Sequence, residues 1–286
     1  MKIILSILFI SFYISSCYSP RYVYSPPTQN IPGINKKNDV ELAANYSTSI
    51  DISPSSGNYN HGFGLHTAWA VSNHFALMLN ENFRWEKSST NDTFFQGDSS
   101  FLNYKSNFTE VGAGYYSSIK NNDKMQFQFF AGVAFGSSKI SDDYFSNNVF
   151  TKKYHKNRVT KLYIQPAVIF KPGNNFNAAF SSRLTEILFS HINTNYTSAE
   201  LNNYLLDSIT NSSIFFWEPA LTYTFGFKKF PARIRIQGSV SILLNHRFVE
   251  HRSSNIGIAV VSGFRSRQQK IKPEVKKELS VLFDSL

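Results

Sequence analysis

The sequence predicts an all-β protein, an antiparallel up-and-down transmembrane β-barrel of about ten strands. Three observations carry this. Between positions 40 and 264, segments alternate apolar and polar residues with period two, a pattern helices do not use. The connections alternate as well, a tight turn and then a long polar loop, as in barrels whose two rims face different compartments. Aromatic residues make up 16% of the 286 residues and charged residues only 17%, yet the mean hydropathy is −0.24. Such a chain suits a sheet with hydrocarbon on one face and a polar interior on the other.

The strands are expected at 40–49, 60–71, 74–85, 107–119, 124–135, 159–170, 176–188, 213–225, 232–245 and 254–264. An even number closes a single-chain barrel with both termini on one side. In the fifth strand Met125, Phe127, Phe129, Ala131, Val133 and Phe135 share a face, opposite Gln126, Gln128, Gly132, Ala134 and Gly136. In the ninth, Ile234, Ile236, Val240, Ile242 and Leu244 oppose Arg235, Gln237, Ser239 and Ser241. The eighth sets Phe215, Trp217, Pro219, Leu221, Tyr223 and Phe225 against Glu218, Thr222 and Thr224. The aromatic-aliphatic face is assigned to lipid. Turn formers at 72–73, 120–123, 171–175 and 226–231 mark the periplasmic rim, and the polar stretches 50–59, 86–106, 136–158 and 189–212 the outer one. In the last of these, Thr197 and Glu200 have capping-box spacing. Leu201, Tyr204, Leu205 and Ile209 then line one face of a short helix expected to pack over the rim.

The first residues read as an export signal: Lys2, then an apolar stretch at 3–14 too short to span a bilayer as a helix. Ile14-Ser15-Ser16-Cys17 resembles a bacterial lipoprotein cleavage site, which implies a signal peptide over 1–16 and acylation of Cys17, the only cysteine. Residues 17–39, rich in Pro, Ser and Asn without sustained periodicity, are expected to form a periplasmic tether. Within them, Tyr24-Ser25-Pro26-Pro27-Thr28-Gln29-Asn30-Ile31-Pro32 resembles the leader of Bacteroidota outer-membrane β-barrel lipoproteins of uncharacterised function. The resemblance covers about twenty residues and implies fold and location, not activity. Gly33-Ile34-Asn35 replaces the more usual bulky aliphatic-aromatic pair. The expected location is the bacterial outer membrane, with the N-terminus lipid-anchored at the periplasmic leaflet.

The barrel domain at 40–264 carries Arg84, Glu110, Lys161, Arg183, Glu218 and Arg235 on its inward face. A barrel of this size has a lumen narrow enough for side chains to fill, and charges there must pair. A salt-bridge network closing the lumen is therefore expected, with a selectivity element in a narrow solute channel as the alternative. The rim holds His61, His155, His191, His246 and His251 near Asp51, Asp92, Asp142, Asp143, Glu186 and Glu250. None falls in a motif with a nucleophile or at tight metal-ligand spacing, so neither enzyme activity, metal nor cofactor is expected, and a rim-active membrane enzyme ranks as an alternative below the channel.

The net charge is +10. Lys152, Lys153, His155, Lys156 and Arg158 cluster in the third outer loop, where lipopolysaccharide phosphates are the expected partners. Arg265, Arg267, Lys270, Lys272, Lys276 and Lys277 fall in a basic, amphipathic tail at 265–286, suited to anionic phospholipid. No nucleic-acid motif is present, and export removes that partner. The remaining expected partners are outer-membrane lipids and the barrel-assembly and lipoprotein-sorting machinery. The expected role is structural, binding or surface interaction.

Overall fold

Period-two alternation becomes pairing: the strands form one antiparallel up-and-down sheet that closes on itself. The computed structural model describes residues 21, 23–49, 59–91, 99–119, 122–146, 149–173, 175–209, 213–227, 230–245, 249 and 251–264. In chain order the strands are β1 (Val40–Thr48), β2 (Tyr59–Ala70), β3 (Phe75–Asn91), β4 (Ser99–Ile119), β5 (Asn122–Ser146), β6 (Val149–Gly173) and β7 (Phe176–Thr194). A helix α1 (Ser198–Asn203) precedes β8 (Ser213–Phe227), β9 (Phe230–Val240), β10 (Ile242–Leu243) and β11 (Ser254–Phe264). β11 pairs with β1 from Val40↔Phe264 to Thr48↔Ile256, which closes the ring. β10 continues β9 against β8 in the same register, Ala220↔Ser239 leading on to Trp217↔Ile242. Pro219 lies at the break. It has no N–H to give the ladder, so one wall position is split without losing alignment. The result is a ten-position barrel.

The distribution of side chains is that of a protein dissolved in lipid. Leu221 is 53% and Val260 58% exposed on the outside, while Lys161 and Arg183 are 0% exposed within. A water-soluble domain has the opposite arrangement. Cross-strand rows on the outer face are apolar: Leu79, Val111, Val133 and Leu162 face one another in register across β3 to β6. The protein is therefore a transmembrane barrel of the outer-membrane type.

Strand lengths are uneven. β5 and β6 have 25 residues each and β2 has 12. Crossing the bilayer takes about ten residues, so the surplus of β3 to β6 projects from the outer rim as paired hairpins. The stretches 86–106 and 136–158, expected as long loops, are largely strand. Apolar alternation stops where hydrocarbon stops, but Tyr104, Ile140 and His155 still pair in register because Tyr, Ile, Ser and Thr hold an extended backbone without lipid.

The helix in the connection between β7 and β8 is six residues long, shorter than expected. Thr197 caps it, its hydroxyl accepting from the Glu200 amide at 3.3 Å while the Thr197 amide donates to Glu200 Oε2 at 2.6 Å. Leu205, at φ 57°, turns the chain out of the helix. Leu206 and Ile209, rather than Leu201 and Leu205, are the buried cover over the outer mouth.

One expectation is overturned by the described residues. Within the expected tether at 17–39, the described stretch from residue 23 to residue 34 does not lie outside the barrel but runs through the lumen, with Tyr24 and Ile34 each 1% exposed. Arg21 meets Asp142 and the Tyr204 ring at the long-hairpin mouth. Ile34 packs among Ala68, Ala70 and Ala76 at the short-turn end. There Asn38, at φ 67°, donates its amide to the Ala70 carbonyl at 2.8 Å and turns the chain into β1. Lack of periodicity marks a segment paired to no single sheet face, and a lumen strand satisfies that as well as a tether does. The expected signal peptide, Cys17 and the tail at 265–286 lie outside the described residues.

The outward rows test the lipid assignment. Leu162→Arg should destabilise the inserted barrel by about 2–4 kcal/mol, read by urea titration in lipid vesicles, if that row sits near mid-bilayer.

Candidate functional site

A polypeptide inside a barrel needs a partner for each backbone amide and carbonyl it brings along. Pro26, Pro27 and Pro32 reduce the demand by lacking N–H groups. Glutamines on the inner wall meet much of the rest. Gln237 accepts from the Gln29 amide at 2.6 Å and donates to the Gln29 carbonyl at 2.9 Å. Gln165 donates to the Asn30 carbonyl at 2.8 Å, Gln128 to that of Pro32 at 2.7 Å, and Gln126 to that of Ile34 at 2.8 Å. The plug's side chains pair in turn. Gln29 donates to the Glu218 carbonyl at 2.6 Å and accepts from Ser181 at 2.7 Å, Asn30 donates to Asn80 at 2.8 Å, and Thr28 donates to Asn45 at 2.8 Å.

The wall is shaped to this segment. A Cβ on Gly257 would stand 2.3 Å from Thr28 Cγ2, so only glycine admits the plug at that point of β11. Cavities beside Thr28 are about 10 Å³ each, roughly the space of one water. No row of waters fits there.

The inward charges form several separate groups along the bore. At its centre Lys161 Nζ donates to Glu110 Oε1 at 3.0 Å, and Arg183 Nη1 lies 3.5 Å from Glu110 Oε2. Arg183 also donates to Gln165 at 2.8 Å and stacks over Tyr163, 4.4 Å from its centroid. Glu218 accepts from the plug's Tyr24 hydroxyl and from Thr185, each at 2.7 Å. Nearer the outer end, Glu86 accepts from Arg84 at 2.6 Å and from Arg252 at 2.7 Å. Toward the short-turn end, Arg235 donates to Glu41 at 2.7 Å, and Glu41 also accepts from the Gly33 amide at 2.8 Å. Arg84 and Arg235 therefore belong to groups of their own, apart from Glu110. The carboxylates that complete them, Glu41 and Glu86, were readable: both fall in the inward phase of their strands, opposite Leu42 and Trp85. The plug's part, through Tyr24 and Gly33, has no such signal.

The outer mouth is sealed by Arg21, bonded to Asp142 and stacked 4.1 Å over Tyr204. Around it Val23, Tyr24, Tyr196, Leu206 and Ile209 form an apolar cap. Burial first, and Asp142 second, push the Tyr196 hydroxyl up from its ordinary pKa. Burial opposes ionisation of Glu200, but the Thr197 amide and hydroxyl and Lys153 outweigh it and hold its carboxyl below the usual value.

The rim histidines do not converge. His61 faces outward and bonds Tyr46, His155 points inward, His191 lies beside Ser190, and His251 bonds the Val249 and Ser241 carbonyls. His246, Asp51, Asp92 and Glu250 lie outside the described residues. Glu186 is on the outer wall, lining a cavity of about 500 Å³ between Leu162, Leu184, Phe215 and Leu244 that opens toward lipid. Among the described residues no group of three His, Cys, Asp or Glu is placed to hold a metal.

No family model and no curated protein matches the chain. Solved structures similar to it include the translocator domain of the autotransporter NalP from Neisseria meningitidis, with 10% identity, 80% of this chain and 87% of that one covered, and a TM-score of 0.46. The outer membrane protein OprG from Pseudomonas aeruginosa matches at 9% identity over 81% and 98%, with a TM-score of 0.35. The outer membrane protease OmpT from Escherichia coli matches at 10% over 82% and 97%, with a TM-score of 0.38. Two of the three are outer-membrane proteins by name, and at these values none informs the activity of this chain.

Glu110 balances two buried cations. Glu110→Gln should destabilise the barrel by about 3–5 kcal/mol, measured by urea titration in vesicles, because Lys161 and Arg183 would be left without a carboxylate.

Proposed function

We propose that this protein is a self-occluded outer-membrane barrel with a structural, binding or surface-interaction role, its working surfaces being the outer face and the N-terminal segment that leaves the outer mouth. The observation that carries this reading is the occupied lumen. Residues 23–34 are hydrogen-bonded along the bore, and the spaces left beside Thr28 are about 10 Å³. The internal ion pairs contribute to closure by holding wall and plug together through Glu218 and Glu41. Conduction of small solutes would require the plug to withdraw, breaking every bond to Gln126, Gln128, Gln165 and Gln237. In planar bilayers the intact protein should be silent. Deletion of 21–35, or Gly257→Leu to crowd Thr28, should produce conductance steps. Steady conductance by the intact protein would favour the channel reading instead.

The leader that resembles those of Bacteroidota outer-membrane lipoproteins is the segment in the lumen, and its Gln29, Asn30 and Pro32 are among the residues the wall holds. Acylation of Cys17 belongs to the same reading, but on the other leaflet from the one expected. Arg21 is at the outer mouth, and four residues reach at most about 14 Å, so the acyl chains are within reach of the outer leaflet. An epitope inserted between Pro20 and Arg21 should be stained on intact cells. Staining only after permeabilisation would return the anchor to the periplasmic side. Acylation is read separately, as an acyl-sized mass lost in Cys17→Ala.

A further inference from the structure

The basic cluster of the third outer loop is divided by the structure. Lys152 lies 3.8 Å from Asp143, Lys153 lies 3.2 Å from Glu200, and His155 points inward. Lys156 and Arg158 face outward and are exposed. The register of β4, β5 and β6 brings two further lysines into line: Lys105 faces Lys139, and Lys139 faces Lys156. Three exposed lysines on adjacent strands thus stand directly opposite one another, and Arg158 lies one row below, across from Ser137. Like charges in such positions repel and destabilise a sheet unless something neutralises them. Among the described residues no carboxylate pairs with any of the four, and none lies on the outward face of β3 to β6 in the lysine row or in the row on either side of it. The described residues supply no counter-charge.

The height of the row says where one comes from. Along β5, Lys139 is four residues beyond Phe135, an outward aromatic that is 57% exposed. Four residues of a tilted strand rise about 10 Å, which carries the lysines from the edge of the hydrocarbon to the headgroup level of the outer leaflet. Trp85, outward and facing Lys105, flanks the row as an interfacial aromatic. We propose that Lys105, Lys139 and Lys156, with Arg158, form a binding site for the phosphate groups of an outer-leaflet glycolipid whose acyl chains lie against the apolar rows below. The lysine stems run back along the sheet and leave three ammonium groups to converge on phosphate. This deepens the expectation of lipopolysaccharide as a partner by naming the residues that hold it, and it depends on neither the plug nor the anchor.

The test is titration of the purified full-length barrel in detergent, followed by native mass spectrometry. The probes are bis-phosphorylated lipid A, the same lipid with both phosphates removed, and inorganic phosphate. Each lysine near an anionic surface contributes roughly fivefold, so Lys105→Ser/Lys139→Ser/Lys156→Ser should weaken the bis-phosphorylated lipid at least tenfold. The dephosphorylated lipid should bind wild type and variant alike, and inorganic phosphate should not compete. Removing mutually repelling charges should leave folding intact, checked by the heat-dependent gel shift. If the triple variant does not fold, Lys139→Gln alone should weaken binding at least threefold. Lys152→Ser/Lys153→Ser, which removes paired lysines, should change affinity less than twofold. Wild-type affinity in the triple variant (or in Lys139→Gln), equal binding of the dephosphorylated lipid, or an equal loss in the paired-lysine variant would overturn the site.

Discussion

Pairing between wall glutamines and the extended segment 23–34 is the interaction on which the rest of the molecule depends. A bilayer fixes the outside of the barrel: outward side chains facing the hydrocarbon are predominantly apolar. That leaves the inside to accommodate all the polar residues the strands carry, in a bore too wide for short side chains to fill and too dry to leave amides unpaired. An extended peptide solves both problems. It fills volume with side chains such as Tyr24 and Ile34, and it presents carbonyls at a spacing that long amides from the wall can reach.

The charges follow from the same geometry. Glu218 is satisfied by Tyr24 of the plug and Thr185 of the wall, and Glu41 by Arg235 of the wall and the plug's Gly33 amide. Remove the segment and those carboxylates lose bonds, while the Gln126, Gln128, Gln165 and Gln237 amides lose their acceptors. Barrel and plug therefore share their buried polar bonds, although residues 29 and 237, which meet in the lumen, are distant in sequence. The contact reaches the seam of the barrel, since Gly257 of β11, paired with Ser47 of β1, is where Thr28 lies against the wall.

Much of the barrel was legible because lipid imposes a strict code. Outward positions such as Met125, Phe127 and Phe129 admit no polar residue, so alternation shows directly in the sequence. Beyond the membrane that code lapses, and for this reason the paired extensions at 86–91 and 136–146 read as loop. Charged residues within strands could be assigned inward, but their grouping could not. It depends on which strands meet across the bore and on a segment with no periodicity. Gln126 and Gln128 were visible on the polar face, yet two glutamines announce no peptide until Gln165 and Gln237 are seen facing them. The Pro-rich composition that reads as a tether is the same composition that minimises unpaired amides in a lumen.

The outward and inward faces thus answer to different solvents, one lipid and the other the chain's own N-terminal segment. Hydrogen–deuterium exchange over residues 23–34 in lipid nanodiscs separates this account from a free tether most directly. Amides from Tyr24 to Ile34, including that of Gln29 bound to Gln237, should be protected as strongly as those of β5 and β6. Complete exchange within seconds, at the rate of an unstructured peptide, would contradict it.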